Sequence, residues 1–139
     1  MRRLAGAKGA AELKALRGFV DCASTAAGGL GFAPERLLEI ELVVEEALTN
    51  VCKYSGLGRA AAVEVACFEG EGVFAVEVSD DGKPFDPTAL PAPDLAAPLE
   101  RKPIGGLGVH LIRKLCDKVS YRREGERNVL RLEFGKPAL

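Results

Sequence analysis

The chain has 139 residues, 47% hydrophobic and 28% charged, which is enough length and apolar content for one domain around a single buried core. A formal net charge of -1 leaves no basic footprint for nucleic acid or an anionic membrane surface, and no apolar run is long enough to span a bilayer. One histidine, and four cysteines outside any Cys-x-x-Cys spacing, argue against a His-rich or zinc site and a Ser-His-Asp triad.

The four thiols, Cys22, Cys52, Cys67 and Cys116, sit in apolar patterned segments and read as small buried side chains in a reducing cytoplasm. Met1 to Lys8 is basic with no apolar run behind it, so it does not read as a signal peptide. Residues 10–27 predict a first helix, because Leu13, Leu16, Val20, Ala23 and Ala27 keep helical period with Phe19 beside them. Gly28, Gly29 and Gly31 end it.

Pro34 suits the first turn of a second helix, which runs to about Tyr54. Leu37, Ile40, Val43, Val44, Ala47, Leu48 and Val51 make its buried stripe. At roughly 100° per residue, Glu46 and Asn50 fall together on one border of that stripe, one turn apart, while Glu45 points to the opposite face. Ser55 to Gly58 close the helix.

Val63, Val65 and Cys67 alternate with Glu64 and Ala66 as a strand, and Phe74, Val76 and Val78 return as the second strand of an antiparallel hairpin. That strand runs straight into Asp80, Asp81 and Gly82. From Pro84 to Pro103 the periodicity dissolves and prolines accumulate, the pattern of a lid or binding loop, spanning about 83–104. Gly105-Gly106-Leu107-Gly108 closes the loop and opens a third helix. Its buried face is Leu111, Ile112, Leu115 and Cys116, with Arg113 and Lys114 pointing to water. Val119 and Tyr121 form a strand, residues 124–127 a turn, and Leu130, Leu132 and Phe134 a last alternating strand. Helices set apart from antiparallel strand pairs predict an α+β two-layer sandwich over residues 1–139. Its helices lie on one face of a mixed, largely antiparallel sheet.

Three short stretches carry chemistry. Asn50 offers an amide oxygen suited to Mg²⁺, which keeps several waters and takes the rest of its shell from phosphates. Glu46, one turn away, suits the activation of a hydroxyl or water attacking a γ-phosphate. Asp80 leaves its strand aimed into a cleft, where a carboxylate accepts from the exocyclic amine of adenine and disfavours the keto oxygen of guanine. Gly82 would let a base lie close against the backbone, although Asp-Gly is first of all a turn signal. The Gly105–Gly108 stretch at a helix N-terminus suits a phosphate cradle. It is neither a Walker A motif nor a Rossmann fingerprint. Arg101 and Lys102, just upstream, are placed to reach phosphates.

Glu46-x-x-x-Asn50, then Asp80-x-Gly82 after a hairpin, then a long lid and Gly106-Leu107-Gly108 together resemble the GHKL (Bergerat-fold) ATPase superfamily. Within it, residues 46–50, 80–87 and 105–117 look most like the bacterial anti-sigma factor serine kinases, and the likeness runs from about residue 10 to 135. The resemblance implies ATP and Mg²⁺ as cofactors, Glu46 as catalytic base, Asn50 on the metal, Asp80 and Gly82 at adenine, and Gly106 and Gly108 around the phosphates. It further implies a cytoplasmic homodimer that phosphorylates a serine of a small antagonist protein and, in its other state, sequesters a sigma factor. Two other functions keep the same fold: an ATP-gated anti-sigma or adaptor module with little turnover, and a detached histidine-kinase catalytic domain. Tyr54 stands where many relatives have histidine, and His110 reads as a partly exposed helix residue.

Overall fold

The computed structural model describes residues 1–89 and 106–138, with the side chains of Gly106 and Leu107 also outside the description. Among the described residues ten elements follow one another. They are strand β1 (Arg2–Ala10), a 3₁₀ turn (Leu13–Ala15), helices α1 (Leu16–Gly28) and α2 (Pro34–Tyr54), strands β2 (Ala62–Gly70) and β3 (Val73–Asp80), a second 3₁₀ turn (Pro87–Ala89), helix α3 (Gly106–Leu115), and strands β4 (Lys118–Glu124) and β5 (Arg127–Gly135). The strands form one sheet in the order β1-β2-β3-β5-β4. All four ladders are antiparallel, so the described sheet has no parallel pair.

Strand β1 departs from the sequence prediction, which extended helix α1 back to residue 10. Arg2–Ala10 pairs with β2 instead, and α1 starts only at Leu16. The physical reason is that this strand carries almost no large apolar side chain to alternate. Its face toward α1 is built from small residues because the helix lies directly on it. A Cβ added at Gly9 would stand 3.1 Å from the ring of Phe19. Hydrogen-bond pairing with β2, a long-range partner, decides the strand.

The core lies between the helices and one face of the sheet. Phe74, Val76 and Val78 of β3 face Phe134, Leu132 and Leu130 of β5 in register, and Ile40, Val43, Val44 and Leu48 of α2 and Ile112 of α3 press on them. Nearly all of these are fully buried, and burial of each such side chain stabilises by roughly 1.5–3 kcal/mol. Phe32 meets Phe74 edge to face at 5.9 Å between centroids.

The other sheet face is polar. Glu77 on β3 bonds Arg122 of β4 and Arg131 of β5, both at 3.2 Å. Burial works against the charge of Glu77, yet the two guanidinium groups outweigh it and hold the carboxyl below its ordinary range.

Helix α2 is central, packed between α1 and α3. Arg36 in its first turns donates to the carbonyl of Leu115 (2.6 Å), the last residue of α3, and pairs with Asp117 (3.1 Å). Its guanidinium also lies 5.1 Å above the ring of Phe134. The end of α3 is thereby tied to both α2 and the sheet, which fixes how the other end of α3 meets the last turns of α2.

Candidate active site

The ends of two elements converge at the site: the C-terminal turns of α2 and the C-terminal end of β3. A cleft opens between them, its walls including Ala47, Val51, Val78 and Leu130 and its polar groups Asn50, Asp80 and Asn128. Mostly apolar walls with a few fixed polar groups are the form of a small-molecule site.

Residues 74, 76, 78 and 80 point to the helix layer by strand alternation, so Asp80 continues the buried row of β3 and is itself only 6% exposed. Its Oδ1 accepts from the backbone N–H of Gly82 (2.8 Å) and from Asn128 Nδ2 (3.1 Å). Asp81, the next residue, turns the other way and closes the start of β2, accepting from Ala62 N (2.7 Å) and Arg59 (2.8 Å). The Arg59 hydrogen bond, then that of Ala62, holds the Asp81 carboxyl below its usual range. The two aspartates thus divide: one faces the cleft, the other staples the fold.

At Gly82 a Cβ would stand 2.9 Å from Ser55 Cα and 2.8 Å from Asp80 Oδ1. Glycine is required here because the turn closes onto the end of α2, where Lys83 N donates to Ser55 O (2.8 Å). That contact is a reason for glycine beyond the room for a base expected at this position.

Asn50 is 4% exposed, deeper than the helix border on which its spacing placed it. Its Nδ2 is the one buried side-chain polar atom without a hydrogen-bond partner among the described residues. Unsatisfied buried amides are rare and costly, and they mark places where a ligand completes the bonding. Glu46, one turn earlier and half-buried, lies against the first turn of α3. A Cβ on Gly108 would stand 2.4 Å from Glu46 Oε2. Gly106, Leu107 and Gly108 make that turn, so the structure brings the start of α3 against Glu46, one turn from Asn50. Glu45 is exposed, as its spacing predicted, and His110 is partly exposed in α3. Arg101, Lys102 and Gly105 lie outside the described residues, as does the lid beyond Ala89.

Tyr54 and Phe85 stack across the mouth of the cleft, 4.8 Å between centroids and 21° between planes. Arg113 corrects the sequence reading that sent it to water: it donates to the carbonyls of Pro87 and Thr88, pinning the start of the lid to α3. Lys114 is exposed, as expected.

Asn128 escaped the sequence reading, although a signal for it existed. The alternating row Leu130, Leu132 and Phe134 of β5, extended back by one step, reaches Asn128 on the same inward face, directly opposite Asp80 in register. A polar residue on a buried row is the unusual observation that marks it.

Fold and cleft together define a small-molecule-binding domain of the two-layer α+β class, with helices on one face of an antiparallel sheet. The chain belongs to the histidine kinase-like ATPase domain family, whose pattern matches residues 9–134. It is similar to serine/threonine-protein kinase BtrW of Bordetella bronchiseptica, 30% identical over 67% of this chain and 66% of that protein. It is also similar to serine-protein kinase RsbW of Bacillus cereus, 25% identical over 78% of this chain and 70% of that protein. The fold recurs in the crystal structure of the SiaB-SiaC complex from Pseudomonas aeruginosa, with TM-score 0.62, 19% identity, and coverage of 96% of this chain and 90% of that one.

Proposed function

We propose that this chain is an ATP-dependent serine protein kinase and anti-sigma factor of a partner-switching module, phosphorylating a serine of a small antagonist protein. The observation that carries the reading is the approach of Glu46 to the glycine-opened N-terminus of α3, one turn from the buried amide of Asn50, whose nitrogen has no partner, and across a cleft from the fixed carboxylate of Asp80. The kinase names of the relatives support it.

Both donors on Asp80 take Oδ1, which leaves Oδ2 to accept the exocyclic amine of adenine. The apolar cleft walls hold the ring. Asn50 suits Mg²⁺ through its amide oxygen, and no cluster of three His, Cys, Asp or Glu side chains stands ready to hold a cation among the described residues. The metal would therefore take most of its ligands from phosphates and water, and its role is to neutralise phosphate charge. Backbone N–H groups at the start of α3 face the phosphates, helped by the positive end of the helix. Glu46 takes the proton of the attacking serine hydroxyl as general base. The reading also assigns Lys102 and Gly105, which lie outside the described residues, to the phosphates.

The same reading places the protein in the cytoplasm as a homodimer, with a sigma factor as its second partner. No described helix is long and apolar enough to cross a membrane.

The test is a phosphoryl-transfer assay with labelled ATP, Mg²⁺ and a candidate antagonist, with Glu46→Gln alongside. Label on an antagonist serine with the native chain and none with the variant is the expected result. Tight ATP binding without transfer to any candidate would point instead to an ATP-gated binding module.

A further inference from the structure

Asn128 spends every hydrogen-bonding position of its amide. Nδ2 donates to Asp80 Oδ1 (3.1 Å) and to the carbonyl of Lys83 (2.9 Å). Oδ1 accepts from Phe85 N (3.2 Å), Tyr121 Oη (2.5 Å) and Arg123 Nη1 (3.2 Å). Turning the amide over would set donor against donor at Phe85 and Arg123 and acceptor against acceptor at Asp80 and Lys83, so its orientation is fixed by its partners. One of those partners is the carboxylate at the floor of the cleft. Two others, Lys83 and Phe85, belong to the stretch that opens the lid. Arg123 adds a second tie to the same turn, donating to Gly82 O (2.8 Å).

No hydrogen bond joins Asp80 directly to Lys83 or Phe85 among the described residues. Asn128 bridges them. Beyond it the same stretch is held by the Tyr54–Phe85 stack and by Arg113 of α3. Asp86 closes it locally by accepting from Thr88 N (2.8 Å). The residues that open the lid are therefore docked on both helix and sheet, and the carboxylate of the cleft is part of that docking.

We propose that Asn128 is a positioning residue that couples the base-reading carboxylate of Asp80 to the docking of the lid root, Lys83–Thr88. Whatever holds Asp80 holds the amide, and the amide holds both Lys83 O and Phe85 N. By linkage the effect runs both ways: a docked root fixes Asp80 for its ligand. The identity of that ligand as an adenine nucleotide rests on the kinase reading above. The joint itself is present in the free chain.

The test follows amide hydrogen exchange at Phe85 in the full chain. Asp80→Ala should speed exchange at Phe85 about tenfold, the factor given by losing one ordinary hydrogen bond's worth of support. Asp81→Ala, which removes the neighbouring carboxylate that bonds only Arg59 and Ala62, should leave Phe85 unchanged. In an Asn128→Ala background the Asp80 substitution should add less than it does in the native chain, only the share carried by its own bond to Gly82 N. Magnesium ADP, with its 6-amino group, should protect Phe85 more than magnesium IDP, which lacks it, and the difference should vanish in Asn128→Ala. Native exchange at Phe85 in Asp80→Ala overturns the proposal, and so does equal protection by bound ADP and IDP. If neither nucleotide binds, the ATP reading fails, and Asp80→Ala compared between the native and Asn128→Ala backgrounds still decides the joint.

Discussion

A Cβ placed on Gly108 would stand 2.4 Å from Oε2 of Glu46, closer than side-chain atoms approach one another. Glu46 therefore occupies the space that any other residue at position 108 would take. The obstructing atom is the end of a flexible side chain, so Gly108→Ala should displace the carboxylate and not the helix. Alanine also suits a helix better than glycine by roughly 0.5–1 kcal/mol. The expected outcome is a chain as stable as the native one, or slightly more so, with phosphoryl transfer reduced by about 10²-fold, the lower range for misplacing the general base proposed at Glu46. Thermal melting and the transfer assay, run on the same preparation, check both halves. Full transfer in Gly108→Ala would remove the Glu46 placement from the mechanism.

Gly82 differs because its obstruction is backbone. Ser55 Cα, at 2.9 Å from the added carbon, cannot swing aside without moving the end of α2. Gly82→Ala should therefore destabilise the fold by about 1–3 kcal/mol, the usual range for overpacking. Urea denaturation measures it. A midpoint equal to the native one would mean that the turn relaxes away from Ser55, with loss of the Lys83 N to Ser55 O bond.

Much of this site is legible in the sequence because it rides on regular elements. Helical spacing alone sets Glu46 and Asn50 side by side, and strand alternation alone sends Asp80 inward. Asn128 was legible by the same alternation on β5, but only when read together with the register that sets it opposite Asp80. Strand β1 was not legible, since its small residues carry no period and its pairing partner lies far along the chain. Arg113 misled for a related reason. Its position on α3 faces outward by spacing, yet the lid root folds back over that side and supplies two carbonyls. Periodicity tells which way a side chain leaves its own element, and not what another segment places in front of it.

Arg36 links three parts of the fold at one point: the last carbonyl of α3, Asp117 beyond it, and the face of Phe134. A cation at a helix C-terminus interacts favourably with the helix dipole, and its hydrogen bond to a carbonyl is charge-assisted. Arg36→Ala should destabilise by about 1.5–3 kcal/mol, the range for hydrogen bonds to charged groups. Arg36→Lys should recover only part of this, because an ammonium cannot reach carbonyl and carboxylate as a planar fork while lying over a ring. The loss should extend to the site, raising the KM for ATP, because the same helix presents Gly108 to Glu46. Denaturant titrations and steady-state kinetics on both variants separate the two effects. Native stability in the lysine variant would reduce Arg36 to its charge and aliphatic stem.

Two thiols make stability depend on alkaline pH. Burial pushes Cys67 and Cys116 up to about 12, against an ordinary value of 9.0 for each. A thiol is charged when it loses its proton, so above pH 9 the unfolded chain sheds protons that the folded chain retains. The folded state then binds more protons, and stability falls as pH rises from about 9 towards 12, by up to about 1.4 kcal/mol per pH unit for each thiol. Below pH 9 both states keep their thiols protonated and these two groups add no slope. Denaturant titrations at pH 8, 9.5 and 10.5 on the native chain and on Cys67→Ala/Cys116→Ala should show a steeper alkaline loss in the native chain. The comparison cancels the lysines and tyrosines common to both. Iodoacetamide should label the half-buried Cys22 and Cys52 of the folded chain before Cys67 and Cys116. Parallel stability curves for the two chains would mean that the buried thiols titrate in the folded state as they do in the unfolded one.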